Sequence, residues 1–291
     1  MQNFKIVKTV VNAPISIVWN LWITPYHVMK WNNATEDWYT PKAKNNLILG
    51  KTFSYTMASR DGAHSFDFWG TYDEVIPKSL IAYTLGDGRK VKVNFSDSGS
   101  GVEVMETFEL ENMNSPELQE QGWQAILNNF KKYTESLLPN LLQYSCVIPA
   151  DPKHIYNTMI GNDTYAGWTK IFNPTSRFEG SWQKGQLIFF LGEGEDGKSG
   201  GMVSMIAENM DSEHISISHI KEWTVDDSLS KEYAVPEDPS FENYSFIPVA
   251  EGTLLVVDML GGVVAYKEYF DETWPKALDQ LSKISSDDGK V

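Results

Sequence analysis

Apolar and polar positions alternate over Phe4–Val11, Thr52–Met57, His64–Val75, Leu80–Leu85, Lys90–Phe95 and Val102–Leu110. A period of two, punctuated by Asp61-Gly62, Asp87-Gly88 and Ser98-Gly-Ser-Gly, predicts antiparallel strands joined by tight hairpins. The first strand runs into Ala13-Pro14, where Pro suits a first helical turn, and a short helical stretch reaches Trp31. After Leu110 the period changes. Ser115-Pro116-Glu117 reads as N-cap, first helical residue and an acid favoured by the helix dipole. Trp123, Ile126, Leu127, Phe130, Tyr133 and Leu137 then recur at helical spacing and give one apolar stripe.

The same pattern is written twice. Ala13-Pro-Ile-Ser-Ile-Val-Trp sets against Ala150-Asp-Pro-Lys-His-Ile-Tyr, and Trp31 against Trp168, at an offset of 137. Gly50-Lys-Thr-Phe-Ser-Tyr meets Gly185-Gln-Leu-Ile-Phe-Phe at an offset of 135. Gly101 meets Gly252, and Trp123-Gln-Ala-Ile-Leu meets Trp274-Pro-Lys-Ala-Leu, at an offset of 151. An order kept throughout, with drift only at turn-rich places, marks an internal repeat. Two domains are expected, 1–138 and 139–291, with Leu138-Pro139-Asn140 as linker. Tyr144–Ile148 is the second domain's first strand, and Trp274, Leu278, Leu281 and Ile284 mark its last helix, which Pro275 should start or kink. Leu80-Ile-Ala-Tyr-Thr meets His214-Ile-Ser-Ile-Ser at an offset of 134, and the step from 134 to 151 is a 17-residue insertion around Lys221–Ser240, acidic and Pro-containing, which reads as a solvated loop, a lid or a partner surface.

Each unit is therefore α+β: a curved antiparallel sheet whose single apolar face only the long helix can cover. A cavity is left between them unless large side chains fill it. Parity places Phe53, Tyr55, Phe66, Phe68, Tyr83, Val93 and Phe95 on the first inner face, with Trp123 and Leu127 on the helix. The second offers Ile188, Phe190, Val203, Ile217, Tyr244, Phe246, Trp274 and Leu278. These rings read as plain core or as a ligand box. Trp31 and Trp168 gate the cavity or anchor the short helices.

Composition narrows the function. Hydrophobic residues make up 42% and charged residues 22%, enough apolar surface for a core. A net charge of −15 argues against a nucleic-acid partner and against an anionic membrane surface. Residues 1–140 carry 13 Lys and Arg against 15 Asp and Glu, whereas 141–291 carry 11 against 24. The acidity thus belongs to the second copy, where a basic protein partner would dock. No apolar run is long enough for a membrane span or a signal peptide, so a cytoplasmic protein without membrane insertion is expected.

Catalytic signatures are scarce. The one cysteine, Cys146, lies in an alternating run and reads as an inert buried thiol. Gly192-Glu-Gly-Glu-Asp-Gly-Lys198-Ser199 fits a phosphate-binding loop, yet its acids would repel phosphate and Gly200-Gly-Met-Val-Ser-Met-Ile reads as a strand where a helix is needed. The same stretch matches a nucleophile elbow and a dinucleotide fingerprint, both of which also need a following helix; a Gly-rich β-turn explains all three. The sequence shows no metal-ligand spacing and calls for no cofactor. His219 shares a strand face with Ile215 and Ile217, as a hydrogen-bonded core histidine or a general base. Glu106 shares a face with Val102, Val104 and Phe108, where a carboxylate costs several kcal/mol unless paired or protonated. Arg89, Lys90 or a buried water would satisfy it, or it serves function. The second copy has Val257 there.

Ala13-Pro-x-x-x-Val-Trp19 followed by Trp31, Gly50-x-x-Phe-x-Tyr55, Glu106-Thr-Phe-Glu and Gln121-Gly-Trp-Gln-Ala-Ile-Leu together resemble the START/SRPBCC helix-grip superfamily. Within it, residues 4–138 resemble the branch of heat-shock chaperone ATPase activator homologues, and residues 142–285 are similar to the superfamily more loosely. The resemblance implies two tandem helix-grip domains and a deep cavity for a hydrophobic small molecule, lipid or polyketide-like. The ligand-binding residues expected are then Trp31, Phe53, Tyr55, Phe66, Phe68, Tyr83, Phe95, Glu106, Trp123 and Leu127 in the first domain. In the second they are Phe190, Ile217, His219, Tyr244, Phe246, Trp274 and Leu278. A non-enzymatic binding protein is the leading expectation. The alternatives are a chaperone-linked interaction module acting through the acidic second domain, and a cyclase or hydrolase-like enzyme using Glu106.

Overall fold

The computed structural model describes residues 4–194, 197–227, 229 and 233–287. Glu195 and Asp196 of the Gly-rich turn, and Ser228 and Ser230–Glu232 of the insertion, lie outside the described residues. The chain divides into two units at Leu138/Pro139.

The first unit runs β1 (Phe4–Val11), α1 (Ile15–Ile23), α2 (Pro25–Trp31), β2 (Trp38–Asn45), β3 (Thr52–Ser59), β4 (Ser65–Ile76), β5 (Leu80–Leu85), β6 (Lys90–Asp97), β7 (Val102–Glu109) and α3 (Pro116–Leu137). Its seven strands form one antiparallel sheet in the order β1-β7-β6-β5-β4-β3-β2. The helix α3 begins where the sequence places it: the Ser115 hydroxyl accepts from the Leu118 amide and Pro116 opens the first turn. Leu127 and Phe130 of its stripe are fully buried, the latter edge-on to Trp22 and Trp31.

The second unit repeats the first. β8 (Leu142–Ile148), α4 (Pro152–Ile160), α5 (Tyr165–Thr169), β9 (Arg177–Gly180), β10 (Leu187–Glu193), β11 (Ser199–Met210), β12 (His214–Thr224), β13 (Ser240–Val249), β14 (Gly252–Leu260) and α6 (Lys267–Asp287) follow in turn. The strand order β8-β14-β13-β12-β11-β10-β9 is that of the first sheet. The α+β helix-grip architecture is thus present twice. Gly101 and Gly252 show why the repeat keeps a glycine there. Each has positive φ, 151° and 133°, and a Cβ would lie 2.2 Å from the Val11 carbonyl oxygen and 2.3 Å from that of Ile148.

Several details differ from the sequence reading. The strand β2 was not foreseen, because Pro41 lacks a ladder donor; β2 is an edge strand, which tolerates proline, and its register shifts between Tyr39 and Lys42. The short edge strand β9 was likewise missed. Pro275 does not start α6, which begins eight residues earlier at Lys267 and carries the proline inside it. Val203, expected on the inner face, packs instead with Phe189, Leu191 and Trp223. Ser204 pairs with the core residue Ile188 and faces inward, so the alternation of β11 puts Val203 opposite Phe189 on the outer face. The stretch after the Gly-rich turn is the strand β11, so no helix N-terminus is there to face a phosphate. Cys146 is only partly buried; desolvation pushes its thiol up to about 11, away from thiolate chemistry.

Candidate functional site

A cavity of about 370 Å³ lies in the first unit between the sheet and α3. Phe53 and Tyr55 on β3, Phe66, Phe68 and Tyr72 on β4, and Tyr83 on β5 give it an aromatic wall. The rings brace one another: Phe53 lies 5.0 Å from Tyr55, 5.5 Å from Tyr72 and 4.8 Å from Tyr83 between centroids. The helix side contributes Gly122, Trp123 and Ile126. Trp123 stacks on Phe108 at 4.3 Å and 7°, and meets Phe68 edge-on. Gly122 matters for what it lacks. A Cβ there would meet nothing within 4 Å, so the glycine leaves space in mid-helix despite a propensity cost of about 1 kcal/mol. The mouth is marked by Phe66 and Leu118, both more than half exposed, with Arg89, Glu111 and Asn114.

The polar groups of this wall divide into those held by the protein and those that are not. Asn45 donates to the Ile23 carbonyl at 2.6 Å and accepts from the Tyr72 hydroxyl at 2.7 Å, and Tyr55 is bonded to Tyr72 in turn. The Gln119 side chain accepts from the Glu111 amide and donates to the carbonyls of Glu111 and Asn114. Arg89 donates to Asp87 at 2.8 Å and to the Glu109 carbonyl at 3.3 Å.

Glu106 stands apart. It is 4% exposed, on β7 opposite Val7 and Val93, and lines the cavity. No described residue gives it a hydrogen bond or an ion pair; Arg89 is engaged elsewhere, and Lys90 is exposed. Burial without a counter-charge pushes its carboxyl up to about 8, so it is mostly protonated at neutral pH. Tyr83 is raised as well, first by burial and then by Glu106.

The cavity brings together eight of the residues expected from sequence: Trp31, Phe53, Tyr55, Phe66, Phe68, Tyr83, Glu106 and Trp123. Trp31 both lines it and anchors α2, donating from Nε1 to the Leu21 carbonyl at 3.0 Å. Phe95 and Leu127 do not line it. Phe95 is buried against Trp19 and Trp22, and Leu127 is fully enclosed under the helix, one position round from the cavity-lining Ile126. Trp22, Asn45, Tyr72 and Gly122 were not anticipated. Tyr72 and Gly70 share the parity of Phe66 and Phe68, which could have placed Tyr72; Asn45 sits on the unforeseen strand β2.

The second unit is different. Ile217, Tyr244, Phe246, Trp274 and Leu278 belong to its core cluster, with Phe190 packed against it, and none of them lines the pocket beside Trp182 and Asn209. Large rings stand here where the first unit has smaller residues. Tyr165 occupies the place of Val28 in the repeat and Phe178 that of Ala43. Tyr165 lies 5.0 Å from Phe178 and 5.8 Å from Trp168, while Trp182 packs on Phe178 and Phe190 at 5.5 and 5.7 Å. Phe172 closes on Trp274 at 4.9 Å. A pocket of this unit is lined by Tyr156, Ile160, Trp182, Lys184, Asn209 and Asp211 among others.

His219 is likewise not a wall residue. Its Nδ1 is 2.9 Å from the Ser204 hydroxyl, and its Nε2 is 3.9 Å from Glu242, which accepts from the Tyr244 hydroxyl. The line Ser204–His219–Glu242 has the residue types of a nucleophile relay, but Ser204 is completely buried and 3.9 Å exceeds a hydrogen bond. Burial pushes Glu242 up to about 7 and His219 down to about 4, which favours the neutral pair inside the core. Glu242 shares the parity of Tyr244 and could have been found by it. Among the described residues no cluster of His, Cys, Asp and Glu could hold a metal ion, and no helix is long and apolar enough to cross a membrane.

Comparison with known proteins concentrates on the first unit. The model of the family Activator of Hsp90 ATPase homolog 1-like protein matches residues 12–135. The AHSA1-like protein of Aeromonas hydrophila is 36% identical over 46% of this chain and 92% of its own, with a TM-score of 0.44. The chain belongs to the AHSA1-like family. The solution structure of Chr148 from Cytophaga hutchinsonii is 48% identical over 46% of this chain and 92% of its own, with a TM-score of 0.41. The AHSA1-like match ends before the second unit begins. The di-domain ARO/CYC StfQ of the steffimycin biosynthetic pathway aligns over 99% of this chain and 100% of its own, at 12% identity and a TM-score of 0.41. No curated protein matches the sequence.

Proposed function

We propose that the chain binds a hydrophobic small molecule in the first domain, while the second domain is a packed copy without a ligand cavity. The observation that carries this is the cavity of about 370 Å³, walled by aromatic rings and holding one buried carboxyl without a partner. Apolar concave sites with few polar groups are what small-molecule sites require. The test uses Gly122, whose replacement by Phe puts a ring into the open space ahead of it. Titration of the full chain with 1-naphthalenemethanol, followed by tryptophan fluorescence, should show saturable binding that Gly122→Phe abolishes. Equal binding by Gly122→Phe, or none by the wild type, would contradict the reading.

A second reading is favoured by one observation, that an unpartnered carboxyl, pushed up to about 8 by burial, lines an apolar cavity. A carboxyl poised there suits general acid–base work on a bound molecule, as in a cyclase or hydrolase-like enzyme. Glu106→Gln would then abolish turnover while binding survives.

A further inference from the structure

We propose that the molecule taken by this cavity carries a protonated amine on an apolar body, with the ammonium group seated against Glu106. This rests on the cavity-binding reading above and narrows it to a class of ligand. The inference comes from which groups of the wall remain available. Asn45, Tyr55, Tyr72 and Gln119 are engaged with protein partners, and Arg89 is held at the mouth by Asp87 and the Glu109 carbonyl. No cation is left inside to receive an anionic head, and Glu106 would oppose one. A fatty-acid carboxylate inserted head first therefore fits badly.

A cation finds the reverse. Glu106 is enclosed by Val104 and Phe108 on its own strand and by Val7 and Val93 on the neighbours, with Trp123 stacked on Phe108. Phe53, Phe68 and Tyr83 line the same cavity, and Tyr83 is close enough to feel the Glu106 charge. Aromatic faces attract a desolvated cation, and a carboxylate supplies the charge that keeps it there. The other titratable groups lining the cavity are Tyr55, Tyr72, Tyr83, Arg89 and Glu111. Burial holds Tyr55 and Tyr83 protonated, and hydrogen bonds from Met113 and Asn114 hold Glu111 ionised, so near neutral pH Glu106 is the group that answers to a ligand's charge. Its proton leaves to solvent as the ammonium arrives. One pKa unit of displacement at pH 7 is a tenfold cost, which a buried ion pair with aromatic neighbours exceeds.

Three probes sharing one ring system test this in the full chain: 1-naphthylmethylamine, 1-naphthalenemethanol and 1-naphthoate, titrated by calorimetry at pH 7 in about 150 mM salt to screen surface attraction. The amine should bind at least about tenfold more tightly than the alcohol and release close to one proton, seen as a dependence on buffer ionisation enthalpy. The naphthoate should bind weakest. Glu106→Gln should reduce the amine to the level of the alcohol. In the wild type alone, the preference for amine over alcohol should grow between pH 6 and 8, a readout that stands if the variant fails to fold. Amine binding no tighter than alcohol binding overturns the proposal and leaves the cavity reading intact. So does an amine preference that Glu106→Gln retains. Binding of none of the three overturns both.

Discussion

Glu106 and Val257 hold the same place in the two sheets: Glu106 lies between Val7 and Val93, Val257 between Tyr144 and Tyr244. One copy buries an unpartnered acid at this point and the other a plain hydrophobe. The carboxyl is tolerated only while protonated, which makes it visible in stability. Folded, Glu106 titrates at about 8, against 4.5 for an ordinary glutamate. Between these values the folded chain holds a proton that the unfolded chain has released, so rising pH favours unfolding. The contribution is complete below about pH 4.5 and lost as pH rises through 8. Urea titrations should show the first domain losing about 3 kcal/mol more between pH 5 and 8 in the wild type than in Glu106→Gln. Parallel pH profiles would show that the carboxyl is not buried alone.

Leu127 and Phe68 separate core from cavity wall. Leu127 is fully buried, so Leu127→Ala should lower first-domain stability by about 2–5 kcal/mol and leave probe affinity unchanged. Phe68 is partly exposed and lines the cavity, so Phe68→Ala should cost less in thermal stability and weaken 1-naphthalenemethanol binding severalfold. The reverse pattern would place the cavity elsewhere.

Trp31 and Trp168 make matching bonds. Trp31 Nε1 donates to the Leu21 carbonyl and Trp168 Nε1 to the Met159 carbonyl, both at 3.0 Å. The repeat thus conserves an anchor for its short helices at two sites whose surroundings differ. Trp168→Phe leaves a buried carbonyl without its donor and should lower second-domain stability by about 1–3 kcal/mol in urea.

Glu208 is a buried acid of the other kind, with a partner. Its carboxylate, 5% exposed, receives Lys184 Nζ at 2.5 Å. Lys184→Met strands that charge and should cost about 2–3 kcal/mol of second-domain stability, whereas removing the exposed Lys283–Asp279 pair should change it by less than about 1 kcal/mol.

Much of this was legible in the sequence for physical reasons. Strands with one buried face must alternate, and the long helix must carry a stripe, so the sheets, Ser115-Pro116 and the inward Glu106 could be read directly. What was lost lay where local rules bend. Pro41 hid β2, and Val203 was given the parity of the inner face although it pairs with Phe189 on the outer one. Whether a cavity stays open could not be read at all. It turns on Val28 and Ala43 against Tyr165 and Phe178, residues of the short helices and of the two unforeseen edge strands, and on a glycine at 122 whose value is empty space.

The contrast between an open first domain and a filled second one is the central claim, and the chain's ten tryptophans report on it directly. In a nuclear magnetic resonance titration with 1-naphthalenemethanol, the indole N–H signals of Trp22, Trp31 and Trp123 should shift and saturate together. Those of Trp168, Trp182, Trp223 and Trp274 should stay in place. Shifts confined to the second group, or no saturable shift at Trp123, would contradict the account.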